Sequence, residues 1–86
     1  MSTTMTTMIE EVKFSAEKSM KEEKYAEAFF YWTKAIHLAE QKGTVETKMY
    51  CQRAKCFMQT EQFHFALEDA KKVLEMDPTN ALGHLR

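Results

Sequence analysis

Glycine and proline are scarce in this sequence: its 86 residues include two glycines and one proline. Phosphate-binding glycine loops, series of tight hairpins and collagen-like or proline-rich segments all need more of these residues, so the composition excludes them. A chain of this length is expected to form one domain with a modest hydrophobic core. The scarcity of both residues therefore favours a helical protein.

An excess of charge of one sign is also missing, because 12 Lys and Arg residues balance 13 Asp and Glu residues. Nucleic-acid binding proteins usually carry clustered positive charge and a high pI, so we expect no nucleic-acid partner. The sequence also lacks an apolar run of about 18 residues, and its N-terminus has neither a basic start nor an apolar stretch. These absences predict a cytoplasmic protein with no membrane partner.

Cysteine is limited to Cys51 and Cys56, which lie five residues apart in one predicted helix and therefore on different faces of it. We expect both thiols to be reduced. The three histidines, His37, His64 and His84, are scattered, and no Cys-x-x-Cys pair is present. The sequence therefore predicts neither a metal site nor a cofactor.

Apolar residues recur at helical spacing after residue 8, whereas residues 1–8 show no periodicity and are predicted to be a flexible leader. The first predicted helix begins at Ile9. The second ends before Gly43, which stands where a C-terminal helix cap belongs. Polar breaks at residues 22–24 and 60–62 separate the helices within each half of the chain.

The third predicted helix begins at residue 45 or 46, with Thr44 as its N-cap, and ends at Gln59. The fourth helix stops at residues 76–77, because Pro78 disfavours helical geometry at the residue before it. A fifth helix is predicted to begin at residue 81 and to be cut off by the end of the chain.

The two halves of the sequence repeat one another with an offset of 38 residues. Tyr25 and Ala28 in the second predicted helix correspond to Phe63 and Ala66 in the fourth, and the apolar positions that follow them also correspond. Small residues at matching places allow paired helices to approach closely. Each half is therefore predicted to be a helical hairpin.

The second half resembles the tetratricopeptide repeat, a family built from 34-residue helix-turn-helix units. Its residues at the family's signature positions are Tyr50, Ala54, Phe57, Phe63, Ala66, Ala70, Val73 and Pro78. The resemblance implies an all-α fold of tandem antiparallel helical hairpins in a superhelix. It also implies a domain over residues 9–86, with repeat one at about 9–46, repeat two at about 47–80 and a partial third repeat or capping helix at 81–86.

Helical repeats usually bind their partners on the concave surface, which the first helix of each hairpin lines. In the co-chaperone members of the family that the chain resembles, this surface is a carboxylate clamp for the acidic C-terminal tail of Hsp70 or Hsp90. The corresponding positions hold Lys13, Glu17, Gln52, Leu82 and Arg86. Lys13 and Arg86 retain cations for a carboxylate, whereas Glu17 would repel one.

Lys48 and Lys55 lie on the same face of the third predicted helix as Gln52, because they are separated from it by four and three residues. The sequence thus predicts a mostly basic groove, interrupted by acidic residues, that binds a short acidic or C-terminal peptide. Its predicted peptide-binding residues are Lys13, Glu17, Lys48, Gln52, Lys55 and Arg86.

Catalysis finds no support in the sequence, because every serine precedes every histidine and the neighbouring acidic residues diverge on their helices. We expect an interaction module and not an enzyme. The alternative hypothesis is self-association, or a structural role within a longer helical-repeat protein. It is motivated by the incomplete third unit with Leu82 and Leu85, because stacked repeats usually need three or more units.

Overall fold

The computed structural model describes residues 2–77, which form four α-helices joined by short loops. They are α1 (Ser2–Lys21), α2 (Tyr25–Lys42), α3 (Thr47–Gln59) and α4 (Phe63–Met76). The predicted all-α architecture of helical hairpins is therefore confirmed. None of these four helices has the length and hydrophobicity needed to cross a lipid bilayer.

Helix α1 begins at Ser2, seven residues before the predicted start. The predicted helix start at Ile9 is thus corrected, because residues 2–8, which were predicted to be a leader, form the first turns of this helix. Met5 explains the difference: it packs against the core four residues before the buried Ile9 and so extends the same apolar face. The helix thus has one apolar stripe, formed by Met5, Ile9, Val12 and Ala16. Threonines on both sides of Met5 made the start of this stripe hard to recognise in the sequence.

The loops within the two hairpins have the same backbone geometry. Glu23 and Glu61, which are 38 residues apart, adopt left-handed conformations with φ of 59° and 61°. After each, the next backbone N–H donates to a carbonyl five residues back: Lys24 to Ser19 at 2.9 Å and Gln62 to Phe57 at 2.7 Å. This is the Schellman pattern, which satisfies carbonyls at the end of a helix. The sequence repeat is therefore also a repeat of backbone conformation.

Gly43 ends α2 in the left-handed conformation, with φ of 79°, as the sequence predicted. Thr44 is not the N-cap of α3, because its backbone N–H donates to the Ala39 carbonyl and so belongs to the end of α2. Glu46 occupies the N-cap position instead and makes no side-chain capping bond.

The core lies between α2 and its neighbours. Helix α2 packs against both α1 and α3, and α3 packs against α4. Four fully buried alanines, Ala16, Ala28, Ala35 and Ala39, let these helices approach closely around the fully buried Trp32. One continuous hydrophobic cluster contains residues of all four helices. The hairpins are therefore joined into one packed unit through the α2–α3 contact.

The predicted fifth helix at 81–86 lies outside the described residues. So do the predicted site residue Arg86 and Leu82, which corresponds to a clamp position of the family. The division into repeats at about 9–46 and 47–80 remains a prediction.

Candidate functional site

Helices α1 and α3, the first helices of the two hairpins, contact one another through side chains. Three contacts join them in the same order along both: Lys13 with Glu46, Glu17 with Lys48, and Met20 with Cys56. The helices therefore run in the same direction. We call the surface at this contact the α1–α3 surface; its polar residues are Glu10, Lys13, Glu17, Glu46, Lys48, Gln52 and Lys55.

Lys13 is held by acidic side chains of this chain. Its Nζ donates to Glu46 Oε1 at 3.0 Å and lies 4.0 Å from Glu10 Oε2, and its side chain is 16% exposed. The local fold explains the pairing, because Glu46 immediately precedes α3 and faces α1 while Glu10 lies one turn before Lys13. Neither carboxylate was predicted to be a partner of Lys13.

Lys48 and Glu17 also pair with one another, with 2.8 Å between Lys48 Nζ and Glu17 Oε2. The hydrogen bond and the charge of Glu17 raise the pKa of Lys48. Both side chains are about half exposed, so this ion pair is screened by solvent and adds little to stability. The structure thus brings together two predicted site residues as partners of each other.

Gln52 and Lys55 follow on α3. The side chain of Gln52 is partly exposed, and that of Lys55 is exposed. Within residues 2–77, neither side chain has a hydrogen-bond or ion-pair partner. Lys55 is therefore a cation of this surface that is available to a ligand without displacing a carboxylate.

A small cavity of about 160 Å³ opens at the end of the α1–α3 surface nearest the start of α3. Ile9 and Met49 supply apolar lining, while Lys13, Lys42 and Glu46 supply charge. Its size suits one side chain of a bound peptide and not a whole small molecule, since ligand pockets are usually several hundred cubic ångströms.

A larger open groove of about 670 Å³ runs along α2, and all of its described lining residues belong to that helix. Phe30, which is 75% exposed, and Tyr31 give it an apolar surface, with Lys34 and His37 at its edge. The sequence did not predict this groove, because these residues lie off the apolar stripe that identified α2.

Arg53 lies behind the α1–α3 surface, where it connects three helices. Its Nε and Nη2 each donate to one oxygen of Asp69 at 2.8 Å, and its Nη1 donates to Thr33 Oγ1 at 3.4 Å. The guanidinium also lies 5.5 Å and 5.8 Å from the ring centres of Tyr50 and Phe57. Hydrogen bonding to Asp69 raises the pKa of Arg53, which stays charged.

This ion pair was not predicted from the sequence; together with the hydrogen bond to Thr33, it connects α3 to α4 and to α2. A signal was present: Asp69 lies between Ala66 and Val73 on the buried face of α4, where an acidic residue needs a partner. Tyr50 adds a second connection, because its hydroxyl donates to Glu40 Oε2 on α2 at 2.8 Å. Burial and this hydrogen bond raise the pKa of Tyr50 to about 12.

No other chemistry is assembled in the described part of the chain. Residues 2–77 contain no group of three or more His, Cys, Asp or Glu side chains placed to hold a metal ion. Cys56 is buried, and burial raises the pKa of its thiol to about 11, so it is poorly suited to act as a nucleophile.

The fold and surface together define an all-α protein of tandem helical hairpins that presents a mixed-charge face. No protein-family model and no solved structure matches the chain. Hsp70-Hsp90 organizing protein 1 of Glycine max is 30% identical over 76 residues, which cover 88% of this chain and 13% of the relative. Hsp70-Hsp90 organizing protein of Triticum aestivum is 28% identical over 79 residues, which cover 92% of this chain and 13% of the relative.

A third relative, Hsp70-Hsp90 organizing protein 2 of Arabidopsis thaliana, is 33% identical over 66 residues, which cover 77% of this chain and 11% of the relative. The similarity thus includes most of this chain and a short segment, between 11% and 13% of the length, of each of these three relatives.

Proposed function

We propose that the chain is an interaction module of the tetratricopeptide-repeat type, and that it binds a short peptide with a carboxylate group on the α1–α3 surface. The observation that carries the proposal is the parallel placement of Lys13, Lys48, Gln52 and Lys55 along two adjacent helices. The similarity to Hsp70-Hsp90 organizing proteins supports a chaperone as the source of the peptide, with the acidic C-terminal tail of Hsp70 or Hsp90 as the first candidate. A cytoplasmic location and a non-enzymatic role belong to the same proposal.

The existing ion pairs define where such a peptide binds most readily. Glu46 and Glu17 already occupy Lys13 and Lys48, so a peptide carboxylate would have to compete with them. Among residues 2–77, no side chain competes for Lys55 and Gln52, which offer one cation and one amide donor. The peptide carboxylate is therefore expected at the Lys55 end of the surface, with a side chain near the cavity beside Ile9 and Met49.

Binding should be tested by titrating labelled acidic peptides, with free and with amidated C-termini, into the full chain. Tighter binding of the free acid is expected, because Lys55 then faces a full negative charge. Equal binding would remove the terminal carboxylate from the proposal, and absence of binding would overturn it.

Glu17→Asn is the variant that tests the position of the peptide. It removes a repulsive carboxylate and releases Lys48, so affinity for the free-acid peptide should rise by about fivefold, which corresponds to roughly 1 kcal/mol for one exposed charge contact. Lys55→Ala should lower affinity by a similar factor. Lys72→Ala is the matched control, since Lys72 is exposed on α4 and away from this surface; an equal loss in this control would point to unspecific charge attraction.

A further inference from the structure

Helix α4 carries an apolar stripe that no described part of the chain covers. Phe63, Leu67, Ala70 and Leu74 recur at intervals of three and four residues and so share one side of the helix. Phe63, Leu67 and Leu74 are 56%, 54% and 45% exposed, and Ala70 is also exposed. We call this the α4 stripe. It is distinct from the α1–α3 surface, so what is inferred for it does not depend on the proposed peptide binding.

The internal repeat indicates what kind of element covers such a stripe. The positions of α2 that correspond to Leu67, Ala70 and Leu74, at the offset of 38, are Phe29, Trp32 and Ile36. In α2 these residues are covered: Phe29 lies 5.1 Å, ring centre to ring centre, from Phe57 of α3, and Trp32 and Ile36 are buried. The equivalent face of α4 therefore fits another amphipathic helix.

Helix α1 of a second copy is a poor cover for the stripe. Helix α3 covers α2 with Tyr50, Arg53 and Phe57, and the equivalent residues of α1 are Val12, Ser15 and Ser19. Ser19 is buried and bonded within its own hairpin to Glu27, at 3.5 Å. Head-to-tail stacking of copies would thus place two serines where an arginine and an aromatic ring are needed. Open-ended assembly of this kind is disfavoured.

The residues beside the α4 stripe favour a second α4 in the antiparallel direction. Each stripe residue is followed by a charged or titratable one, in the order His64, Glu68, Lys71 and Glu75. In an antiparallel pair this order runs in opposite directions along the two helices. Glu68 of one copy then lies opposite Lys71 of the other, and His64 of one copy lies opposite Glu75 of the other. A parallel pair would set like charges opposite one another. Lys71 and Glu75 make no ion pair within residues 2–77, so both are available. His64 Nε2 and Glu68 Oε2 lie 3.3 Å apart within one copy, in an exposed contact that the second copy's Glu75 and Lys71 would replace.

We propose that two copies of this chain associate through their α4 stripes as an antiparallel, two-fold symmetric pair. Each copy gives the same residues to the contact, as a two-fold interface requires. The stripe of one helix buries a small area compared with that of stable dimers, so the association is weak and depends on concentration.

Sedimentation of the full chain at rising concentration, from roughly ten micromolar to one millimolar, tests the proposal in the range of weak association. The average mass should rise from the 10.1 kDa monomer towards that of two chains and no further. If the chain stays a monomer at all concentrations, the proposal is overturned. A monomer in which another segment of the chain covers the stripe would give this result. A mass that keeps rising beyond two chains would also overturn it.

Variants locate the interface and its direction. Leu67→Lys should abolish the dimer while the helical content stays unchanged, since Leu67 is exposed in the monomer; Phe30→Lys, at an exposed phenylalanine of α2, is the matched control and should still dimerise. Lys71→Glu and Glu68→Lys should each weaken the dimer, and the two together should restore it. Failure of the double variant to recover the affinity would exclude the antiparallel arrangement.

Discussion

At the scale of single residues, the pair of Arg53 and Asp69 has the greatest consequence for the fold. The carboxylate is buried on α4, and two parallel hydrogen bonds of 2.8 Å satisfy it from α3. A bidentate pair of this geometry is specific as well as strong, because both partners are planar. It fixes the register of α3 against α4 and therefore the direction in which Gln52 and Lys55 face.

Asp69→Asn should lower the free energy of unfolding by about 3 kcal/mol, because the variant leaves the partly buried Arg53 without its counter-charge. Glu68→Gln, at the neighbouring exposed position of α4, should change it by less than about 0.5 kcal/mol. Urea denaturation followed by circular dichroism measures both values. If the two variants unfold at similar urea concentrations, the ion pair does not have the structural role assigned to it.

The two cysteines should differ in reactivity. Cys56 is 1% exposed, and burial raises the pKa of its thiol to about 11, whereas Cys51 is partly exposed. A raised pKa leaves less of the reactive thiolate at pH 8. In the folded protein, a thiol reagent at pH 8 should therefore modify one cysteine rapidly, and Cys51→Ser should remove that rapid phase. Rapid labelling that persists in Cys51→Ser would show that Cys56 is accessible.

At the scale of secondary-structure elements, the two Schellman turns place a glutamate where glycine is usual. Glu61 adopts φ of 61°, a conformation that costs a residue with a Cβ atom roughly 1 kcal/mol. The Glu61 side chain has no partner among residues 2–77 that would offset this cost.

Glu61→Gly should consequently stabilise the protein by about 0.5–1 kcal/mol, measured as a shift of the urea midpoint, since relief of the strained φ exceeds the added freedom of the unfolded chain. Lys72→Gly, at an exposed position inside α4, is the matched comparison and should destabilise by about 1 kcal/mol. A loss of stability in both variants would mean that the conformation of Glu61 carries no strain.

The helices differ in how accurately their bounds could be predicted from the sequence. Helices α2 and α4 were predicted within a residue or two, because each has a continuous apolar stripe and a clear stop, Gly43 or the Asp77–Pro78 boundary. The start of α1 was missed, since Met5 joins the apolar stripe among threonines that favour no helix. For the α1–α3 surface, helical periodicity gave the face of each residue, but the partners Glu46 and Glu17 depend on the spacing of two helices, which periodicity does not contain.

At the scale of the whole molecule, the contact between α2 and α3 decides whether the two hairpins behave as one unit. It combines the Phe29–Phe57 ring contact with hydrogen bonds from Tyr50 to Glu40 and from Arg53 to Thr33. The continuous core across all four helices adds to this coupling. In repeat proteins the coupling between neighbouring units determines cooperativity.

The single tryptophan, Trp32, makes this coupling measurable, because it is fully buried in the first hairpin while circular dichroism reports helix in both. We expect tryptophan fluorescence and circular dichroism to give the same urea midpoint, as in a two-state transition. Lys72→Gly in the second hairpin should then lower the midpoint seen by Trp32 as much as the midpoint seen by circular dichroism. If α4 unfolded separately, the circular dichroism signal of this variant would decrease at a lower urea concentration, while the fluorescence of Trp32 would keep its original midpoint. The two hairpins would then have to be described as independent units.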